Sequence, residues 1–366
     1  MAATPTPVRY HDGIEVRTAD EDATIDRIIA SMTHESEKVQ AREHHAVRAS
    51  HAKASAFLKG QLRVLDGLPI ELRQGLFATP GTYEVAVRLA QGPGEHLPDK
   101  VHTHRGMAIK VFGVAGEKLP DHAGDTQDFV LATGPVFPNG TAASFLGAMK
   151  GLEAGAGGIM PDAVKAAVSA TTGAINAVVK AATGSDSPLM DFFGHAPRHP
   201  LVDRYYSQAA LRYGDHVAKI VAVPVSPGQD ALGREPLDTG NPNVFRDATV
   251  AYFQEQAAEF EIRVQLCTDL DAMPVEDASV PWPEDQSPYR PVARLMLPRQ
   301  EAMSEARKVF MNDAMSFRPG HSLAAHRPLG SLMRARLRTY PALYAFRQRQ
   351  NGHQSIEPGS VAEIPN

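Results

Sequence analysis

The chain is 366 residues long, 43% hydrophobic and 22% charged, with a formal net charge of −5. That length suits one large domain or two average ones, and the mildly acidic balance gives no electrostatic footprint for nucleic acid. The lone cysteine, Cys267, excludes an internal disulfide, and no uninterrupted apolar stretch reaches membrane-spanning length.

Residues 1–19 carry proline and alternating charge and are expected to form a loose arm. They contain no apolar run of the secretory type, so a cytoplasmic protein is expected. Residues 20–46 read as a helix with acidic residues in its first turn. Residues 56–76 read as short amphipathic turns. Strands are then predicted at 82–89, 105–112 and 127–132. In the first of these, Tyr83, Val85, Val87 and Leu89 share one face, while Glu84, Ala86 and Arg88 share the other.

An insertion rich in Ala and Gly spans 140–190. A helix is expected there from Pro161 to about Ala182, ended by Gly184. Lys165 and Lys180 argue against its crossing a membrane. Further strands are predicted at 217–225, 259–266 and 292–297, and helices at 250–258, 301–315 and 332–350. The polar tail, 353–366, is expected to be loose. The β runs, split by one long helical insertion, favour an antiparallel β-barrel with helices wrapped around it over a parallel sheet. The class is α+β, with residues 20–352 forming one domain.

Two short stretches carry chemistry. Arg48-Ala49-Ser50-His51-Ala52-Lys53 sets a histidine in a turn of small residues. Arg336 stands four residues before Tyr340, on one face of a helix if the segment is helical. A cation beside a phenol favours the phenolate, a hard ligand suited to ferric haem. Tyr344 competes with Tyr340 one turn later, but no arginine stands four residues before it. No Cys-x-x-Cys-His run is present, so a haem would be held without a covalent bond.

Other segments add weight. Residues Tyr205–Lys219 closely resemble the YYSQ…RYGDHVAK run of haem catalases, and Arg105–Phe112 resembles their RGFAVKF strand. Phe317–Leu323, followed by His326–Gly330, is similar to the segment leading into the proximal helix of small catalase-related proteins. The resemblance covers roughly residues 40–352, in family order.

It implies a catalase-like barrel binding one haem b. Tyr340 would be the iron ligand and Arg336 its partner. Arg48, Arg88 and Arg347 would hold the propionates, and His51 would be the distal acid–base group. Two departures matter. Asp125 falls where catalases have a distal asparagine, and an ionised aspartate cannot donate a hydrogen bond; it would have to be protonated, or turn away and let Thr126 or Gln127 take over. Ser50 replaces an apolar residue before the distal histidine and makes the pocket wetter.

The expected activity is therefore a peroxidase. A hydroperoxide oxidises the haem by two electrons, a small organic reductant restores it, and catalase activity is weak. The rivals are a fatty-acid hydroperoxide isomerase of the allene oxide synthase kind and a non-catalytic haem-binding protein. The resemblance also implies a homo-oligomer.

Overall fold

The structure is a computed structural model that describes residues 6–156, 162–183, 187–233 and 235–366. Its strands are β1 (Ala54–Val64), β2 (Gly81–Gln91), β3 (Arg105–Phe112), β4 (Thr126–Thr133), β5 (Tyr205–Tyr206), β6 (Leu211–Tyr213), β7 (His216–Pro224), β8 (Ala258–Leu266) and β9 (Arg290–Leu297). The helices are α1 (Glu21–Glu43), α2 (Ala142–Ala156), α3 (Asp162–Thr183), α4 (Pro188–Gly194), α5 (Pro227–Ala231), α6 (Val244–Glu255), α7 (Glu305–Val309) and α8 (Ser331–Asn351).

Every strand pairing is antiparallel, in the order β5-β4-β3-β2-β1-β9-β8-β7-β6. The short β5 also pairs with β7. This closes β1–β5 and β7–β9 into a barrel that leaves no long free edge. The α+β barrel expected from the strand pattern is therefore present.

Alternation decides which side chains fill the barrel. Val85, Val87 and Leu89 of β2 join Phe77, Phe129, Tyr213 and Phe260 in the interior core. Ala86 packs outward with Phe57 and Phe317. Arg88 alternates outward too, and its partners lie in the turn outside the barrel. The packed interior leaves ligands to the outer face.

Several expectations need correcting. Residues 54–64 form a full strand, β1, although 56–76 read as turns. Ala56, Leu58, Leu62 and Val64 do alternate inward, but Gly60 interrupts the pattern. A Cβ on Gly60 would lie 2.8 Å from a Leu297 methyl and closer still to the Met296 carbonyl, so glycine lets β9 approach. The insertion holds three helices, α2 to α4, rather than one; Pro161 and Gly184 lie outside the described residues.

The helix expected over 301–315 is a short α7 followed by a π-helical turn, Phe310–Ala314. Both termini are tied down where described. The Val8 N–H donates to the Cys267 carbonyl, and Ile364 is buried against the cluster around Phe57. No helix among the described residues is long and apolar enough to cross a membrane.

A buried ion-pair chain braces α4 against β3. Asp191 lies 2.8 Å from His195, which lies 3.2 Å from Asp203, which in turn pairs with Arg105 at 2.7 Å. Burial opposes charge on His195, but Asp203 and Asp191 outweigh it and raise its pKa to about 9. His199 and His326 go the other way, pushed down to about 4, chiefly by burial.

These shifts set opposite pH limbs. A histidine with a depressed folded pKa contributes stability that is full above its ordinary value near 6.5. That stability is lost as pH falls toward 4, by up to about 1.4 kcal/mol per pH unit for each group. His195 contributes stability that is full below about pH 6.5 and lost as pH rises through 9. Urea midpoints from pH 4 to 10 should trace a dome. His326→Gln should flatten its acid limb and His195→Gln its alkaline limb; limbs unchanged in these variants would contradict the assignment.

Candidate functional site

A cavity of about 370 Å³ lies outside the barrel, between the outer faces of β2–β4, the turn at 48–51, α1 and α8. Its size is within the range of ordinary ligand pockets. His51, Tyr340, Arg48, Arg88, Arg336, Arg347 and Ser50 all line it. The structure thus brings together seven of the eight residues singled out in the sequence.

His51 is held by backbone. Its N–H donates to the Gly92 carbonyl (2.9 Å), and Arg88 Nη2 donates to the carbonyls of His51 (2.7 Å) and Ala52 (3.0 Å). At φ 55° His51 sits in the left-handed region, which is uncommon outside glycine and which clusters at functional sites. Its ring lies against Gly106, where a Cβ would come within 2.8 Å of Cε1 and Nδ1. Nδ1 is buried and closes no hydrogen bond, although the Gln91 carbonyl faces the ring. Burial lowers the pKa of His51 well below the usual value, and His104, Arg88 and Arg336 push the same way.

On α8, Arg336 Nη2 donates to the Tyr340 hydroxyl at 2.8 Å, as the helical spacing predicts. The rival is occupied elsewhere: the Tyr344 hydroxyl donates to the Ala314 carbonyl (2.6 Å) and bonds Ser355 Oγ (2.7 Å). Tyr340 is therefore the phenol with oxygen valence to spare. Arg334 on the same helix holds α8 in place. It is buried among Glu15, Glu21 and Glu276, with contacts of 2.6–3.0 Å.

Arg48, Arg88 and Arg347 all line the cavity, close enough for their charges to interact. Burial lowers each to a pKa of about 9, and each is depressed further by the charge of another of the three. Arg48 Nη2 donates to the carbonyls of Met311, within the π turn, and Met315, just after it. Even so, Nε of all three and Nη2 of Arg347 are buried without partners. An unmade hydrogen bond of this kind costs roughly 1–3 kcal/mol. The arrangement fits a ligand carrying carboxylates.

Asp125 is not in the site. Its side chain is 86% exposed and lies 3.7 Å from Lys118. The β3–β4 register explains this. Phe112 pairs with Thr126 at the hairpin end, whereas Gly106, which touches His51, pairs with Ala132. Asp125 is thus about 20 Å along the ribbon from the cavity. Thr126 and Gln127 do not replace it, because Thr126 Oγ1 contacts His122 and Gln127 Oε1 accepts from Ser322 and Leu323. Ser50 is exposed at the cavity. The residue that the sequence reading missed is His104. Its ring packs edge-on to His51 at 5.3 Å and stacks on Phe192 at 3.9 Å.

No protein-family model matches the chain, and no curated protein matches it in sequence. Solved structures do. Catalase A from Saccharomyces cerevisiae matches with a TM-score of 0.60 at 18% identity, over 95% of this chain and 68% of that one. A fungal catalase gives 0.59 at 18% identity, over 100% and 74%. A bacterial catalase gives 0.57 at 14% identity, over 93% of this chain and 63% of its own length. The fold is catalase-like.

The arginine cluster predicts a trade of stability against binding. Arg347→Met removes a buried charge with two unpartnered nitrogens, so the ligand-free protein should melt higher. Arg88→Met leaves the His51 and Ala52 carbonyls without their donor and should melt lower. Thermal midpoints of the two ligand-free variants check this; equal shifts of the same sign would refute it.

Proposed function

We propose that the chain binds one haem b in this cavity and works as a catalase-related peroxidase, reducing hydrogen peroxide or an organic hydroperoxide with a small organic reductant. The observation that carries the reading is the set of unpartnered donors on Arg48, Arg88 and Arg347, residues that line the same cavity as Tyr340, whose hydroxyl accepts from Arg336. Tyr340 Oη would be the iron ligand, and the three guanidiniums would hold the propionates by charge-assisted hydrogen bonds. The likeness to catalases supports this as a fold-level analogy.

When bound, the haem supplies the two-electron reduction of the hydroperoxide, and the reductant restores it. The protein moves the substrate's own proton. His51 is kept neutral by burial and by the charges of Arg88 and Arg336, so it meets the substrate as a base. With Nδ1 buried against Gly106, Nε2 is the nitrogen that takes the hydroperoxide proton and returns it to the departing oxygen. Phe137, Phe145 and Phe192 help to keep bulk water away.

The same lining favours peroxidase over rapid disproportionation. No asparagine or glutamine lines the cavity among the described residues, so no amide orients a second peroxide. A second reading, rearrangement of a fatty-acid hydroperoxide, is favoured by the apolar wall of Ile28, Met32, Phe137, Phe145 and Leu332.

The test begins with haem uptake. Tyr340→Phe should lose haem or its phenolate-type ferric spectrum, while Tyr344→Phe should keep both. His51→Ala should keep haem but react with hydrogen peroxide on the order of 10²–10⁴-fold more slowly. An unchanged spectrum in Tyr340→Phe, or the parent rate in His51→Ala, would remove these roles.

Asp125→Asn should leave the ratio of oxygen evolution to dye oxidation where it was, since the side chain is remote. A changed ratio would put Asp125 back in the reaction. Rearranged products from a fatty-acid hydroperoxide without any reductant would favour the second reading.

A further inference from the structure

His104 is a half-buried imidazole lining the cavity that the chemistry above does not use. It enters through the backbone of Gly92, whose N–H donates to the His104 carbonyl (2.8 Å) and whose own carbonyl accepts from the His51 N–H. Gly92 also makes room. A Cβ there would lie 2.6–2.7 Å from the nitrogens of the His104 ring and closer still to Cε1. One glycine therefore ties both histidines together and permits their edge-to-face approach.

The tautomer of His104 follows from its partner. Nδ1 lies 3.2 Å from the Phe192 carbonyl, which can only accept. Nδ1 therefore carries the hydrogen, and Nε2 is a bare acceptor. Burial keeps the ring neutral, with a pKa pushed down to about 4. The charged groups around the pair are His195 and Asp191 on the α4 side, which act on His104 in opposite directions, and Arg88 and Arg336, which act on His51. A neutral His104 leaves Nε2 free to accept a hydrogen bond.

We infer that His104 Nε2 is a second, substrate-contacting acceptor that holds one O–H of hydrogen peroxide while His51 works on the other. This deepens the peroxidase reading and rests on it. Hydrogen peroxide carries two O–H donors, and the two imidazoles offer two acceptors. An alkyl hydroperoxide carries one O–H and leaves the second acceptor unmatched, so the pair discriminates between the two classes.

His104→Phe is the informative variant, because it keeps a flat ring between Phe192 and His51; His104→Gln serves as a second variant if that one folds poorly. In the haem-loaded protein the absorption spectrum should stay as in the parent. The rate with hydrogen peroxide should fall about tenfold, the order of one net hydrogen bond, while that with tert-butyl hydroperoxide should hold. Equal losses on both substrates, or none, would overturn the inference.

A readout independent of activity comes from the parent loaded with diamagnetic zinc protoporphyrin. Histidine ¹⁵N–¹H spectra should show His104 protonated at Nδ1 and bare at Nε2 at neutral pH. A hydrogen on Nε2 would make the ring a donor and sink the proposal. A parent that takes up no porphyrin overturns the peroxidase reading and this one with it; a loaded parent with an indifferent His104→Phe variant overturns this one alone.

Discussion

Three guanidiniums line one cavity and depress one another's protonation. Arg48, Arg88 and Arg347 come from three separate pieces of chain: the turn after α1, the outer face of β2 and the last turns of α8. Like charges brought together out of water repel, and each lowers the affinity of another for its proton. Such a cluster is stable only where the surroundings over-determine it or where an anion completes it. Backbone carbonyls do part of this. Those of His51, Ala52, Met311 and Met315 accept from Arg88 and Arg48, while other nitrogens of these cavity-lining arginines stay buried without partners.

The scaffold around this cluster holds the turn and α8 in a fixed relation. Arg334 reaches from α8 to Glu15 in the N-terminal segment, Glu21 at the start of α1 and Glu276 in the β8–β9 connection. The three carboxylates hold its guanidinium firmly protonated, well above the usual range, although burial opposes this. Truncating one partner of such a buried network is costly, because it strands the remaining charges. On the opposite side of the cavity, Gly92 and Gly106 replace side-chain volume with room for imidazole. The turn is therefore set by backbone hydrogen bonds and missing Cβ atoms, and the helix by charge.

How much of this was legible in the sequence depended on whether a signal was local. The faces of β2 could be read directly, because Val85, Val87 and Leu89 alternate with Glu84, Ala86 and Arg88. The Arg336–Tyr340 contact followed from helical spacing alone. β1 escaped because Gly60 breaks the alternation at the point where β9 crowds it, which is a tertiary cause. Asp125 was misjudged for a similar reason. Matching it to a family position ignored the register that fixes the far end of the β3–β4 ribbon. His104 was one histidine among 15, and nothing in its neighbours along the chain marks it. The missing Cβ of Gly92, twelve residues earlier, is the only trace, and it has meaning only once β2 and β3 are paired.

The polarity of the cavity is divided in a way that bears on chemistry. The three arginines supply excess donors. The walls carry Phe137, Phe145, Phe192, Val130 and Leu332, which neither donate nor accept. Around His51, beside Arg88, acceptors join these donors. Two neutral imidazoles present acceptors, and no amide or lysine donor lines the site among the described residues. A ligand that satisfies both sets carries carboxylates where the arginines are and presents hydrogen-bond donors where the histidines are. The arginines and the histidines line one cavity and are read as one site.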